Sequence, residues 1–171
     1  WNGSSWGTDR TKAKQTNQNV TNLSTITSSS YFYAGSYIYN SVDTEVTNNH
    51  ITLGTGLSYS GKYYVVGGQS GTKVAQGNSI TANGVSFNAT GGPTEFYAGR
   101  SNSGDVKVNN ITVKSGTFSG GINFYGGRTN SGTAGGTGTG DVNTVTISGG
   151  NFTDSAYIYG GYVENGSGAA I

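Results

Sequence analysis

The chain has 171 residues and a formal net charge of +1, so its length fits one domain and its charge gives no long-range attraction to nucleic acid. Hydrophobic residues make up 32% and charged residues 10%, and 31 positions are Gly, yet 12 Tyr, 6 Phe and 2 Trp argue against a disordered polymer. The absence of Cys excludes disulfides and thiolate metal sites. Abundant Thr, Val, Ile and Tyr predict strands, and no segment has the apolar spacing of an amphipathic helix.

Residues 1–29 do not contain the repeat that fills the rest of the chain. They carry both tryptophans, Trp1 and Trp6, and a small basic cluster that begins at Arg10. Because a stack of strands has open edges at its ends, atypical terminal segments commonly cover those edges. We therefore predict an N-terminal cap or an irregular first turn, with a flexible arm as the alternative.

A pair of aromatic or aliphatic residues followed by two small residues recurs five times, at a spacing of roughly thirty residues. The copies are FYAG at 32–35, VVGG at 65–68, FYAG at 96–99, FYGG at 124–127 and IYGG at 158–161. Such a period is typical of solenoids, in which each repeat stacks on its neighbour. The predicted repeats are 30–61, 62–92, 93–121, 122–155 and an incomplete one at 156–171.

A second phrase, in which Asn is followed two residues later by Ile or Val and then by Thr, occurs in four repeats. It begins at Asn49, Asn78, Asn109 and Asn143, and the apolar residues that follow it are Leu57, Val85 or Phe87, Phe118 and Phe152. Three short strands per turn predict an all-β fold, a parallel β-solenoid (β-helix) of about five turns with almost no helix. Length differences fall in the predicted loops 36–48, 69–77, 100–108 and 128–142, and we expect binding specificity in the longest, 128–142.

In such a stack each residue lies about 4.8 Å from its counterpart in the next turn, so aligned positions form ladders. Because side chains alternate faces along a strand, the first residue of each aromatic phrase is expected inside and the second outside. The predicted inward residues are Phe32, Val65, Phe96, Phe124 and Ile158. By the same parity Asn49, Asn78, Asn109 and Asn143 form a structural ladder at a corner, and Thr52, Thr81, Thr112 and Thr146 form an outward structural ladder.

The outward tyrosines are the candidate ligand-binding residues, because exposed aromatic side chains with a polar rim mark binding surfaces. These residues are Tyr33, Tyr97, Tyr125 and Tyr159. The alternative is that the rings stack on one another and stiffen the sheet, as aromatic pairs on neighbouring strands do.

No pattern in the sequence indicates catalysis. His50 is the single histidine, and no Ser lies in a nucleophile-elbow pattern. Arg100 and Arg128 occupy equivalent positions in two repeats, and so do Asp105 and Asp141, which predicts an Arg–Asp pair across each loop rather than a unique active site. We expect no enzyme activity, no cofactor and no bound metal; calcium at the GGTGTGD segment, 135–141, is the alternative.

The run FYGGRTNSG…GDVNTVTISGG…YIYGG resembles the repeats of bacterial autotransporter adhesin passenger domains, the β-helical part of type V secreted surface proteins. The resemblance covers residues 30–171 at the level of repeat style. It implies secretion to the bacterial cell surface and a role in attachment, virulence or biofilm formation. The family has no shared catalytic motif.

Three hypotheses for function follow. The first is an extracellular structural and adhesive module that binds a surface glycan or protein receptor on host cells, other bacteria or biofilm, without membrane insertion of this segment. The second is an extracellular filament subunit that self-associates through the ends of the solenoid. The third is a carbohydrate-active β-helix, a lyase or tailspike-like hydrolase, that would use acids such as Asp105 and Asp141.

Overall fold

The structure is a computed structural model that describes residues 45–136 and 138–165, together with the backbone of two short strands at 19–21 and 31–33. The described residues form strands, turns and loops, and no helix occurs among them. The strands stack in parallel, turn upon turn. The fold is therefore the predicted all-β parallel β-solenoid, with about four turns rather than five.

The described strands are, in chain order, β1 (Asn19–Thr21), β2 (Tyr31–Tyr33), β3 (Val46–Thr47), β4 (His50–Leu53), β5 (Ser58–Ser60), β6 (Tyr64–Ser70), β7 (Ala75–Gln76), β8 (Ser79–Asn88), β9 (Thr94–Ser101), β10 (Val106–Lys107), β11 (Asn110–Ser119), β12 (Ile122–Thr129), β13 (Thr144–Ile147), β14 (Asn151–Phe152) and β15 (Ala156–Val163). They form three sheets. The aromatic sheet has the order β2-β6-β9-β12-β15, and the short sheet has the order β3-β7-β10. The Ile/Thr sheet has the order β1-β4-β8-β11-β13, with β5 beside β8 and β14 beside β11.

The third strand of each turn does not lie where the sequence predicts it. The short strands β3, β7 and β10 fall inside segments that were predicted to be loops. The predicted second and third strands are instead continuous in β8 and β11, which bend at a bulge. Gly84 (φ 86°) and Gly116 (φ 143°) lie at this bend with a backbone conformation that favours Gly, so the strand turns without ending.

The core consists of side-chain ladders from the aromatic and Ile/Thr sheets. The stacked aromatic column contains Tyr59, Phe87, Phe118 and Phe152. The rings of Phe118 and Phe152 are 4.9 Å apart and nearly parallel, and Phe96 meets Phe118 edge-to-face. The column contains Tyr59 where the sequence predicted Leu57, because the two-residue alternation places Tyr59 in register with Phe87 while Leu57 packs at the margin.

An asparagine ladder fills the corner between the short sheet and the Ile/Thr sheet. Its buried members are Asn49, Asn78, Asn109 and Asn143. The backbone N–H and the side-chain Nδ2 of Asn78 both donate to Oδ1 of Asn109 at 3.0 Å, and Asn109 makes the same two bonds to Asn143. Nδ2 of Asn109 also donates to the carbonyl of Ala75 at 2.9 Å. Asn78 and Asn109 are therefore each bonded both to the next rung and to the backbone.

In three consecutive turns the Gly that ends the aromatic phrase packs against this ladder. A Cβ atom on Gly99 would lie 2.3 Å from Nδ2 of Asn109, and one on Gly127 would lie 2.5 Å from Nδ2 of Asn143. These distances are too short for any side chain. We call this arrangement of buried Asn and facing Gly residues the Asn/Gly corner.

The face of the Ile/Thr sheet that points away from the core carries the predicted threonine ladder. Thr52, Thr81, Thr112 and Thr146 are register partners on consecutive turns. Each follows an apolar residue of the core, such as Ile80 or Ile111, and is itself partly or fully exposed.

Only the strand β1 is described from the predicted N-terminal cap. It pairs with β4 in the register Val20 to Ile51 and so adds one strand to the Ile/Thr sheet. Tyr33 lies in β2 with its backbone paired to Val66, which places it in the predicted column. The other residues of 1–29 and the side chains of Phe32 and Tyr33 lie outside the described residues.

The last described turn is less covered than the turns before it. Among the described strands, β13 and β15 each pair on one side only, with β11 and β12. Ile158 is 51% exposed and Ile147 is 37% exposed, whereas their register partners Phe124 and Val113 are buried. Among the described residues, this turn therefore presents core side chains and strand edges without a partner strand.

Candidate functional site

The outer face of the aromatic sheet carries the predicted tyrosine column. Phe96 belongs to the core, so the next residue, Tyr97, points outward. Tyr97, Tyr125 and Tyr159 are register partners on successive turns. The ring centroids of Tyr97 and Tyr125 are 4.9 Å apart and those of Tyr125 and Tyr159 are 5.1 Å apart, with nearly parallel planes. The column is therefore a continuous stack over three turns.

Exposure differs along the column. Tyr97 is only 1% exposed, so the prediction of an exposed ring is wrong at this position. The reason is local packing, because the guanidinium carbons of Arg100 and Arg128 lie 5.1 and 5.5 Å from its ring centroid and Tyr125 stacks against it. Tyr125 and Tyr159 are partly exposed, and they are the members that a ligand can reach.

Arginines share this face because the inside–outside alternation changes at the two small residues that end the aromatic phrase. Gly99 faces inward against Asn109, so Arg100 returns to the outside three residues after Tyr97. Arg128 is its register partner on the next turn and follows Gly127 in the same way. We call this surface the outer Tyr/Arg face; it comprises Gln69, Glu95, Tyr97, Arg100, Tyr125, Arg128, Tyr159 and Tyr162.

The predicted Arg–Asp pairs across the loops are not formed, and that prediction is wrong. Arg128 pairs with Glu164, whose Oε2 lies 2.5 Å from Nη2. Asp141 lies 3.9 Å from the ammonium group of Lys107, and Asp105 accepts a hydrogen bond from a backbone N–H of the next loop. The physical reason is the change of alternation, which carries the arginines onto the outer sheet face while the aspartates stay at the loop.

The two arginines of the face differ in their partners. Arg128 is 13% exposed, pairs with Glu164 and contacts the rings of Tyr125 and Tyr162 at 5.9 and 6.0 Å. Arg100 contacts the ring of Tyr97 but makes no salt bridge with any residue that the structure describes. Nε of both arginines is buried and has no hydrogen-bond partner among the described residues. Arg100 therefore has no carboxylate at ion-pair distance among the described residues, and Glu95 acts on it only at longer range.

Glu95 is an acidic member of the face, two residues before Tyr97 on β9. Burial raises its pKa above the ordinary value, and the negative charge of Glu164 acts in the same direction. The positive charges of Arg128, Lys62 and Arg100 oppose this change without cancelling it. The carboxylate form of Glu95 is therefore less stable here than in water.

Stacking determines which atoms the tyrosines present. Tyr125 lies between Tyr97 and Tyr159, so its two ring planes are occupied and its edge faces outward. Burial, followed by the charge of Glu95, raises the pKa of Tyr125 to about 12. Its hydroxyl therefore stays protonated and is a hydrogen-bond donor at neutral pH. The reachable groups of the face are phenol edges and guanidinium donors more than ring planes.

Reasoning from the sequence selected the tyrosines and missed Arg100, Arg128 and Glu95 as their neighbours. Arg100 and Arg128 each follow a pair of small residues at the same distance from Tyr in two consecutive repeats, and that recurrence is the sequence signal. His50 lies away from this face, on β4 of the Ile/Thr sheet, with Nδ1 2.6 Å from Oγ of Ser79.

In the described ranges, no group of three or more His, Asp and Glu side chains lies close enough to hold a metal ion. The same part of the chain contains no helix long and apolar enough to cross a membrane. The groups of the outer Tyr/Arg face offer hydrogen bonds, cation–π contacts and charge. Comparison with known proteins gives no match, because no family model, no curated protein and no solved structure matches the chain.

Proposed function

We propose that this chain is an extracellular structural and adhesive module rather than an enzyme. In this proposal the solenoid core is a rigid stalk, and the outer Tyr/Arg face binds a glycan or protein receptor on host cells, other bacteria or biofilm. Secretion to a bacterial cell surface, which the repeat style implies, is part of the same proposal.

The observation that carries this proposal is the alignment of polar and aromatic groups on one outer face. Tyr125 and Tyr159 are partly exposed, and the Arg column runs beside them on the same strands. Exposed aromatic groups combined with Arg are enriched at binding surfaces. Because the groups repeat from turn to turn, one extended ligand can contact several of them at once, which increases the overall affinity.

Adhesion of the purified chain to immobilised cells or biofilm tests the proposal. We expect the half-saturating concentration for adhesion to rise about ten-fold or more in the double variant Tyr125→Ala/Arg100→Ala, because both groups lie on the face. Thr112→Ala on the threonine ladder is the matched control, since it changes an outward residue of a different sheet. Equal adhesion of all three proteins, with unfolding temperatures showing that each is folded, contradicts the proposal.

A second function, self-assembly into an extracellular filament, is favoured by the last described turn. Ile158 and Ile147 are exposed there, and β13 and β15 have open edges among the described strands. Open parallel edges with apolar side chains are templates for pairing with another chain. In this proposal a second copy adds its own strands at that end.

Sedimentation velocity over a range of concentrations tests the filament proposal. Ile158→Lys places a charge on the exposed end and is expected to reduce assembly. Val142→Lys is the control, because Val142 is 45% exposed but lies in a loop between strands. A monodisperse monomer at the highest concentration, before any substitution, contradicts self-assembly.

A further inference from the structure

We propose that the outer Tyr/Arg face contains an anion-binding subsite centred on Arg100, and that its ligand is an acidic polysaccharide that carries carboxylate or sulfate groups. The inference rests on the proposed adhesive function and names the ligand class for the same face. It comes from the arrangement of positive charges on the face. Recognition of a neutral sugar would not require those charges.

The first observation is the alignment of two guanidinium groups on neighbouring turns. Arg100 and Arg128 are register partners in adjacent parallel strands, and both lie over the ring of Tyr97. Like charges at directly opposed positions of a sheet destabilise it. Glu164 relieves that repulsion at Arg128, and an anion beside Arg100 would relieve what remains.

The second observation is the difference in the partners of the two arginines. Glu164 neutralises Arg128, whereas Arg100 makes no salt bridge among the described residues. Arg100 is partly exposed, and its guanidinium contacts the ring of Tyr97 but makes no hydrogen bond to any side chain or backbone group that the structure describes. A planar guanidinium with unused donors matches the geometry of a carboxylate or sulfate, which accepts two parallel hydrogen bonds.

The third observation is that the positive charges of Arg100 and Arg128 are concentrated on one face. The chain carries a formal net charge of +1, so its overall field does not attract polyanions. Two of its three arginines nevertheless lie one above the other on this single face. Selective binding of an acidic ligand would therefore depend on these two positions rather than on total charge.

The surrounding groups favour a polysaccharide over a folded acidic protein. Tyr125 and Tyr159, the reachable tyrosines beside the arginines, are stacked on each other and present hydroxyl-bearing edges on two successive turns. A linear chain of hydroxyls and regularly spaced acidic groups can bond to such a row, turn after turn, at a spacing of about 4.8 Å. An extended acidic sugar polymer fits this linear pattern.

Binding of three soluble polymers to the immobilised full chain tests the subsite. Dextran sulfate and polygalacturonate separate the sulfate and carboxylate forms of the ligand, and neutral dextran is the uncharged reference. We expect at least one acidic polymer to bind about ten-fold or more tightly than dextran, and Arg100→Gln to remove most of that difference. Raising the salt concentration is expected to weaken binding of the acidic polymer and to leave binding of neutral dextran unchanged.

Two further variants separate the loss of the planar guanidinium from the loss of positive charge in general. Arg100→Lys keeps the charge but loses the planar pair of donors, so its affinity should fall between those of the parent and Arg100→Gln. Lys114→Gln removes one exposed positive charge from β11, on another sheet, and should leave binding unchanged. If Lys114→Gln weakens binding as much as Arg100→Gln, the interaction is general charge attraction and the subsite is refuted.

Failure of the subsite can be distinguished from failure of the adhesive function. If dextran binds as tightly as the acidic polymers, or if the chain adheres to cells while neither acidic polymer binds, the anion subsite is refuted and adhesion stands. Capture of an acidic protein with no binding of either acidic polymer also refutes the polysaccharide assignment. If the chain adheres to no cell or biofilm surface and binds no polymer, the adhesive function itself is refuted.

Discussion

The Asn/Gly corner and the outer Tyr/Arg face are both ladders of polar side chains in register, but their hydrogen bonding differs. In the corner, Asn109 uses both Nδ2 hydrogens and its Oδ1, and the neighbouring backbone groups are bonded as well. On the face, the Nε groups of Arg100 and Arg128 have no hydrogen-bond partner among the described residues. Repetition alone therefore does not separate a structural ladder from a candidate binding surface, whereas the degree of polar satisfaction does.

Asn109→Asp is expected to have the largest effect on stability. The change keeps an acceptor for Asn78 but replaces the Nδ2 donor with oxygen, which then faces the carbonyl of Ala75 and Oδ1 of Asn143. Unsatisfied buried groups of this kind cost about 1–3 kcal/mol each, so we expect a loss of about 3 kcal/mol or more in the free energy of unfolding. Chemical denaturation at neutral pH measures it.

Asn110→Asp is the control for this substitution, because the neighbouring residue undergoes the same chemical change on the exposed side of β11. Its effect on stability should be small. The buried acid in the Asn109→Asp variant also has a raised folded-state pKa, so that variant should regain stability as the pH falls. Equal stability of the two variants would mean that the corner is not the structural ladder described here.

The second effect in size is expected at the glycine that faces the ladder. A Cβ on Gly99 would lie 2.3 Å from Nδ2 of Asn109, so Gly99→Ala forces the corner apart and is expected to cost about 1–3 kcal/mol. Gly140→Ala is the control, because no atom lies within 4 Å of the added Cβ. The two thermal unfolding temperatures should differ clearly; an unchanged Gly99→Ala variant would show that the corner has room to adjust.

The sequence predicts the solenoid and the corner because both depend on periodicity, which is visible in the residues. The spacing of the Asn phrase and the two-residue alternation place Asn109 opposite Asn143 without knowledge of the backbone. The position of the third strand could not be predicted in this way. The segment 106–107 is only two residues long, and its pairing depends on how the whole turn closes.

The outer face was only partly predictable for a related reason. The tyrosine column follows from alternation, but the arginine column depends on a change in that alternation at Gly99, which arises from the close approach to Asn109. The burial of Tyr97 follows from the same change, since it brings Arg100 and Arg128 over the ring. Sequence parity gives no information about such a local bend.

The third effect concerns the two roles of the tyrosine stack. Tyr125→Ala removes contacts with both neighbouring rings and is expected to cost about 1–3 kcal/mol in stability, because aromatic pairs contribute about 0.5–1.5 kcal/mol each. Tyr125→Phe keeps the stack and removes the hydroxyl. We expect it to retain the parent unfolding temperature and to weaken polymer binding. Unchanged binding in Tyr125→Phe would leave the ring with a stiffening role alone.

The smallest effect on stability is expected from substituting Glu95. This effect depends on pH because the face contains a titratable carboxyl group, whereas the native corner consists of Asn and Gly residues. Burial raises the pKa of Glu95 in the folded chain, so its ionisation destabilises the folded state as the pH rises through that value. Glu95→Gln should therefore raise the unfolding temperature slightly at neutral pH, and the difference should vanish in acid. Thermal unfolding of both proteins between about pH 4 and 7 measures this, since the unperturbed Glu pKa is about 4.3.

The same substitution tests the charge balance of the face. Glu95 is surrounded by the positive Lys62, Arg100 and Arg128 and by the negative Glu164, so its protonation leaves a more positive surface. Dextran sulfate stays ionised over this range, and its binding to the parent should strengthen as the pH falls. Glu95→Gln should bind more tightly at neutral pH and lose that pH dependence, whereas substituting His50 on the Ile/Thr sheet should not change it. A pH dependence that persists in Glu95→Gln would assign the titrating group elsewhere and remove Glu95 from the account of the face.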